Sequence, residues 1–168
     1  IHGGMGVIED TGAAQYLRDA RITAIYEGTT GIQAADLVGR KIGYEKGATA
    51  AVVIAQMRAT AQSLSVHADP AIAAQQAGFS RSVDALATAT QWIVETFAKN
   101  PNAVAAVSVP YLKLWGIVAG GWMMVRAALI AAGKSATGDA AFCKNKIATA
   151  RFYVEHVLPQ APGLAEEI

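Results

Sequence analysis

The chain has a single cysteine, Cys143, so no disulfide can form within it, and a reducing compartment is the natural setting. Charge is scarce and balanced: 14 Lys and Arg against 13 Asp and Glu, only 16% of the 168 residues, with a formal net charge of +1. Such a balance gives no electrostatic reason to bind nucleic acid or acidic lipid. Histidine is rare, and His2, His67 and His156 lie too far apart for metal-ligand spacing, so no metal site is expected. Long apolar runs are missing too. The most apolar window, Leu114 to Val125, holds 12 residues between Lys113 and Arg126. A bilayer crossing needs roughly 20, so a buried bundle helix is expected there instead. Ile1-His2-Gly3-Gly4 carries neither a basic head nor an apolar run, so no secretory signal is read and a cytoplasmic location is expected.

Apolar residues make up 53% of the chain, and 36 of the 168 are alanine, the best intrinsic helix former. That composition excludes a disordered chain and points to an all-α fold. Pro70, Asn100-Pro101 and Gly133 to Gly138 punctuate residues 48–168 into four helical segments, roughly 48–67, 71–99, 102–132 and 139–158. Each carries an apolar stripe with spacings near three and four. The first has Val53, Met57, Ala61 and Leu64; the second Phe79, Val83, Leu86, Thr90, Ile93 and Phe97. The third has Val104, Val107, Tyr111, Leu114, Val118, Gly121, Val125 and Ala128; the fourth Cys143, Ile147, Ala150, Val154 and Val157. Such seams are what packed bundle helices require, and short links favour antiparallel neighbours. The expectation is an up-down four-helix bundle over residues 45–168, with Pro110 kinking the third helix. Cys143 on its seam reads as a small buried hydrophobe, and Trp92, Trp115 and Trp122 as packing residues.

Residues 1–44 read differently. Gly3, Gly4 and Gly6 form a flexible turn, a short helix runs from about Thr11 to Asp19, and Ile22 to Thr29 is non-helical. A second helix starts at Thr30, where Thr30-x-x-Gln33 fits a capping box. Glu27-Gly28-Thr29 is then the loop before a helix start. The order Ile25-Tyr26-Glu27-Gly28-Thr29 brings an apolar and aromatic approach to a carboxylate, followed by a glycine that lets backbone come close to a ligand. An apolar setting makes a carboxylate a better proton acceptor, which suits a general base. Taken alone, that pattern fits an ordinary surface or structural glutamate better. Arg18, Asp19 and Arg21 read as structural ion pairs beside a helix end.

Four short motifs in order change that balance: Gly3-Gly4-Met5-Gly6, Tyr16-Leu17-Arg18-Asp19-Ala20-Arg21, Ile25-Tyr26-Glu27-Gly28-Thr29 and Ile32-Gln33. Over residues 1–42 the chain resembles the C-terminal signature of the acyl-CoA dehydrogenase family. Residues 48–168 resemble the extra helical C-terminal domain of a subgroup that includes enzymes acting on 3-methylthiopropionyl-CoA. The sequence departs from the commonest pattern at Thr30-Gly31 and at Ala34, where many members have Asn-Glu and Arg.

The resemblance implies a definite site. Glu27 is the base that takes the α-proton of an acyl-CoA thioester while a hydride leaves the β-carbon for FAD, and the thioester oxygen is held by donors that include the base residue's own N–H. Tyr26 and Gly28 lie against substrate. Thr29, Thr30, Gly31 and Gln33 lie near FAD, and His2, Gly3 and Gly4 approach the FAD of a neighbouring subunit in a homo-oligomer. An electron-transfer acceptor completes the partners. Residues 1–44 are then the end of the flavin-binding helical domain, a helix-loop-helix segment, and 45–168 the extra four-helix domain. The chain is expected to be an inactive part of the enzyme when isolated. The competing expectation is a non-catalytic helical interaction or oligomerisation module.

Overall fold

The computed structural model describes residues 2–134 and 139–168; most of the expected break at Gly133 to Gly138 lies outside them. The described residues form helices and turns, with no strand among them. Two short 3-10 turns, Gly3–Gly6 and Glu9–Thr11, lead into α1, Ala13–Ile22. The expected flexible glycine turn is therefore a 3-10 turn, and α1 sits about two residues later than the sequence suggested. Gly12, with φ +71°, caps α1 in the left-handed conformation that glycine adopts without steric cost. After the loop comes α2, Thr30–Asp36, which runs straight into a π-helical stretch, Leu37–Gly43. There Tyr44 N–H donates to the Gly39 carbonyl at 3.0 Å and Gly47 N–H to Ile42 at 2.9 Å, both across five residues.

The bundle is α3, Ala48–Ser65; α5, Gln76–Phe97; α7, Ser108–Lys134; and α8, Ala140–His156, with short α4, Pro70–Ala73, α6, Pro101–Ala106, and α9, Gln160–Glu166. Arg58 of α3 meets Asp84 of α5 at 3.0 Å, and Gly47 before α3 touches Val94 late in α5, so the two run antiparallel. Tyr153 of α8 donates to the Ile117 carbonyl of α7 at 3.1 Å, while Ala132 and Ala140 line one hollow, so α7 and α8 are antiparallel as well. The helical bundle expected from the stripes is present.

The stripes are the core. Met57, Leu64, Phe79, Val83, Leu86, Ile93, Tyr111, Leu114, Val118, Val125 and Ala150 are all buried in one cluster. Cys143 is buried, and the three tryptophans are half-buried against or beside that cluster. Trp122 also donates its indole N–H to Thr60 at 2.8 Å. Val38 and Ile42 of the π-helical stretch belong to the same cluster, so the N-terminal segment is rooted in the bundle core.

Three details differ from the sequence reading. The second and third segments are each broken in two. Asp69 caps α4 through Ala71 N–H at 2.9 Å, the chain turns at Ala74 and Gln75, and α5 begins. The third is interrupted at Val107, in the turn before Pro110, where the missing N–H and the clash with the Ala106 carbonyl fall, so the expected kink takes the form of a break between α6 and α7. Pro110 falls in the first turn of α7, where its missing N–H has no intrahelical acceptor to satisfy. Past the expected end at 158, α9 folds back over α5 and α7, burying Ala161 and Leu164.

Candidate active-site loop

Thr23 to Gly28 form turns between α1 and α2. The loop reverses through two residues on the left-handed side of φ: Glu27 at +58° and Gly28 at +102°. For an L-residue with a Cβ this conformation costs roughly 1 kcal/mol, and it is sparsely populated outside functional sites and tight turns. Gly28 has no alternative. A Cβ there meets Ile32 Cγ2 at 2.9 Å, and its φ lies outside the range of side-chain-bearing residues.

The turn aims the Glu27 carbonyl back at α2, where Gln33 Nε2 donates to it at 2.5 Å. This corrects the capping-box expectation. The N-cap is Thr29, in extended conformation (φ −67°, ψ 166°), and neither Thr29 nor Thr30 caps the helix with its hydroxyl. Gln33 N–H instead donates to the Thr29 carbonyl at 3.0 Å, and the Gln33 side chain closes the loop one turn earlier than the box would. Its bond to the backbone of the candidate base was missed in the sequence. The signal was a lone amide side chain six residues after an acid in a glycine turn.

Glu27 is exposed, and so are Tyr26, Thr29, Thr30 and Gly31; Gly28 and Gln33 are half-buried. The apolar enclosure expected around the carboxylate is therefore not supplied by this chain. What the chain supplies is open apolar surface. Tyr16 is 79% exposed, Ile25 65% and Ile32 59%, and Met5, Val7, Leu17 and Ile22 are exposed too. Ala14 is the only residue buried between positions 2 and 33. Such a run of exposed large hydrophobic residues marks a surface made to be covered. An open hollow of about 510 Å³, lined by Arg18, Arg21, Ile22, Ala24 and Ile25, lies on the α1 side of the loop.

His2, Gly3 and Gly4 sit apart from the loop, before α1, and all are exposed. Gly3 has φ +56°, and a Cβ on Gly3 or Gly4 meets nothing within 4 Å. The segment is braced by Arg18, which donates to both Glu9 oxygens at 2.7 and 3.0 Å and holds that carboxyl below its usual range. The structural role expected for Arg18 is thus met by Glu9, a partner outside its own motif.

The loop, the turn and the bundle together match known proteins along nearly the whole chain. A family model described as acyl-CoA dehydrogenase, C-terminal domain, matches residues 1–43. Another, described as acetyl-CoA dehydrogenase C-terminal like, matches residues 53–168. The chain belongs to the acyl-CoA dehydrogenase family. It is 45% identical over 165 residues to 3-methylmercaptopropionyl-CoA dehydrogenase of Ruegeria pomeroyi, an alignment covering 94% of this chain and 27% of that protein. It is 37% identical to a butyryl-CoA dehydrogenase of Syntrophomonas wolfei, over 96% of this chain and 27% of the relative. It is 32% identical to the broad-specificity linear acyl-CoA dehydrogenase FadE5 of Mycobacterium tuberculosis, over 99% and 28%. The chain thus spans about a quarter of the length of these acyl-CoA dehydrogenases.

Proposed function

We propose that the chain is the C-terminal part of an FAD-dependent acyl-CoA dehydrogenase that oxidises the α,β bond of an acyl-CoA thioester, with Glu27 as the base. The observation that carries this is the backbone of Glu27. A non-glycine residue is held at φ +58° beside a glycine at +102°, in a turn closed by the Gln33 side chain, on an exposed loop among uncovered apolar side chains. Strain of that kind at a carboxylate fits a group aimed at a ligand.

In this reading the Glu27 carboxylate takes the α-proton. Charge gathers on the thioester oxygen as the proton leaves, and the Glu27 N–H is a donor for it. Gly28 leaves room for the thioester to pass close to the backbone, and Tyr26 packs against the acyl or pantetheine chain. Gln33 fixes the plane of the Glu27–Gly28 peptide by holding its carbonyl, which in turn orients the base. FAD, when bound, accepts the β-hydride. The residues present fit such a group. Gly3 and Gly4 have open space where side chains would stand, and Thr29, Thr30 and Gly31 expose the start of α2. His2, Gly3 and Gly4 of one subunit, and Thr29, Thr30, Gly31 and Gln33 of another, are the residues that would hold it in a cytoplasmic homo-oligomer served by an electron-transfer acceptor. Residues 1–44 close the flavin-binding helical domain, and 45–168 form the extra helical domain.

Two experiments test this. In the complete enzyme that carries the chain, Glu27→Gln should lower the dehydrogenation rate with 3-methylmercaptopropionyl-CoA or butyryl-CoA by at least about 10²-fold, with flavin absorbance unchanged. Retained turnover moves the base to another residue. The 168-residue chain alone should neither retain FAD nor reduce a dye with acyl-CoA, because its side of the site is exposed. A yellow, active chain overturns the assignment of the remaining pocket to other parts of the enzyme.

A further inference from the structure

Glycine is the residue least able to hold a backbone conformation by itself, yet the proposed site needs Gly28 to hold one. Its φ of +102° follows Glu27 at +58°, and the direction of the Glu27 side chain depends on both. Two neighbouring residues in the first turn of α2 reach back to this pair. Gln33 Nε2 donates to the Glu27 carbonyl at 2.5 Å, at one end of the Glu27–Gly28 peptide. Ile32 stands at the other end. The point where a Cβ on Gly28 would sit lies 2.9 Å from Ile32 Cγ2, 3.2 Å from its Cβ and 3.5 Å from its Cδ1. Beyond the adjoining residues, the three atoms nearest that point all belong to Ile32.

Core packing does not account for an isoleucine at this position. Ile32 is 59% exposed and lies outside the core cluster, and leucine is the better helix former. What isoleucine adds is a branch at Cβ. In a helix a β-branched side chain has one strongly preferred χ1, so its Cγ2 is a fixed stop rather than a swinging group. The Glu27–Gly28 peptide is thus held at its oxygen by Gln33 and stopped at its following Cα by Ile32. It can neither flip nor slide toward α2. Gly28 is half-buried, and its open half faces away from Ile32.

We infer that Ile32 is a positioning residue for the Glu27 base, acting through the contact of its β-branch with Gly28, and that the thioester passes Gly28 on the face away from Ile32. The inference rests on the reading of Glu27 as the base and adds the side chain that stops the loop from the α2 side. Leucine at this position carries a single substituent on Cβ. It either leaves the Cγ2 position empty or fills it with a larger branched group, and both move Gly28 and with it the carboxylate. Valine keeps Cβ and Cγ2 and lacks only the outer Cδ1.

The test compares Ile32→Val with Ile32→Leu in the complete enzyme that carries the chain. The substrate is whichever of 3-methylmercaptopropionyl-CoA and butyryl-CoA it oxidises faster. Small misplacements of a reacting group are costly, so Ile32→Leu should have a kcat at least about tenfold below that of Ile32→Val. KM should differ by less than about twofold, because the contact is made to the loop and not to the substrate. Flavin absorbance should be the same in both, and the 168-residue chains should share one urea midpoint. A merely structural role gives the opposite order, since leucine is the stronger helix former. Leucine as active as valine, a loss carried by KM, or a loss matched by a lower urea midpoint overturns the inference and leaves the reading of Glu27 standing. Retained turnover in Glu27→Gln overturns both.

Discussion

Glu27 combines two properties that usually separate: it is the residue the loop strains and the residue proposed for the chemistry. Stability and activity should therefore part company there. Glu27→Gly relieves the left-handed strain and should leave the chain as stable as before or more stable by up to about 1 kcal/mol, read from urea unfolding. The same substitution should abolish dehydrogenation in the complete enzyme. A loss of stability would mean that the glutamate side chain packs in a way its exposure denies. The candidate site was read from the order of motifs around Tyr26-Glu27-Gly28-Thr29, which singled out the residue and its neighbours. Its backbone was not. Positive φ at a glutamate leaves no trace in composition or period, because the conformation is imposed by the turn and by the Gln33 bond rather than by propensity.

At the level of helices, the buried hydroxyl pair between α5 and α7 gives an asymmetric prediction. Thr90 Oγ1 lies 2.8 Å from Tyr111 Oη and also bonds the Leu86 carbonyl at 2.7 Å. Tyr111 is fully buried, and that burial pushes its phenol upward from the ordinary value. Tyr111→Phe leaves Thr90 with a partner and should cost about 1 kcal/mol. Thr90→Val strands a buried phenol hydroxyl and should cost about 1–3 kcal/mol. Equal losses in thermal or urea unfolding would contradict this reading. The elements themselves were readable where apolar spacing was long and regular, as in α5, α7 and α8, because one face had to be buried. The breaks were less so. Pro110 suggested a kink, and the helix is interrupted at Val107 in the turn before it, which leaves the proline where a helix start tolerates it. α9 lies past the end at 158 that the stripes suggested, with Pro162 in its first turn, where proline is compatible with a helix.

For the whole molecule, one core serves both segments. Val38 is 3% exposed and Ile42 2%, packed with bundle residues. A chain of residues 45–168 should still show a helical circular dichroism spectrum, because nearly all the core lies within it. It should be less stable than residues 34–168 by about 3–5 kcal/mol, the scale for emptying the space of two buried aliphatic side chains. A coil-like spectrum would end the idea of an independent helical domain, and equal stability would show that the π-helical stretch is not part of the fold's foundation. Family membership follows from the matches to both segments. Acyl-chain length has no such signature here, because in the proposed reading the exposed loop leaves most of a substrate's surroundings to other parts of the enzyme.

The π-helical stretch also works as a gear between the two segments. Removing one residue from an α-helical path turns everything before it by about 100° relative to everything after. The wide turns of Leu37–Gly43 hold more residues than an α-helix of the same rise. They set the angle at which α2, and the glutamate loop ahead of it, leave the bundle. Because Val38 and Ile42 are locked in the core, that angle is fixed from below. The aim of Glu27, the proposed base, is thus a matter of phase, written by how many residues the chain spends between the core and the loop. A one-residue deletion at half-buried Gly39 would swing the Glu27 carboxylate away from its present direction without touching a single residue of the proposed site.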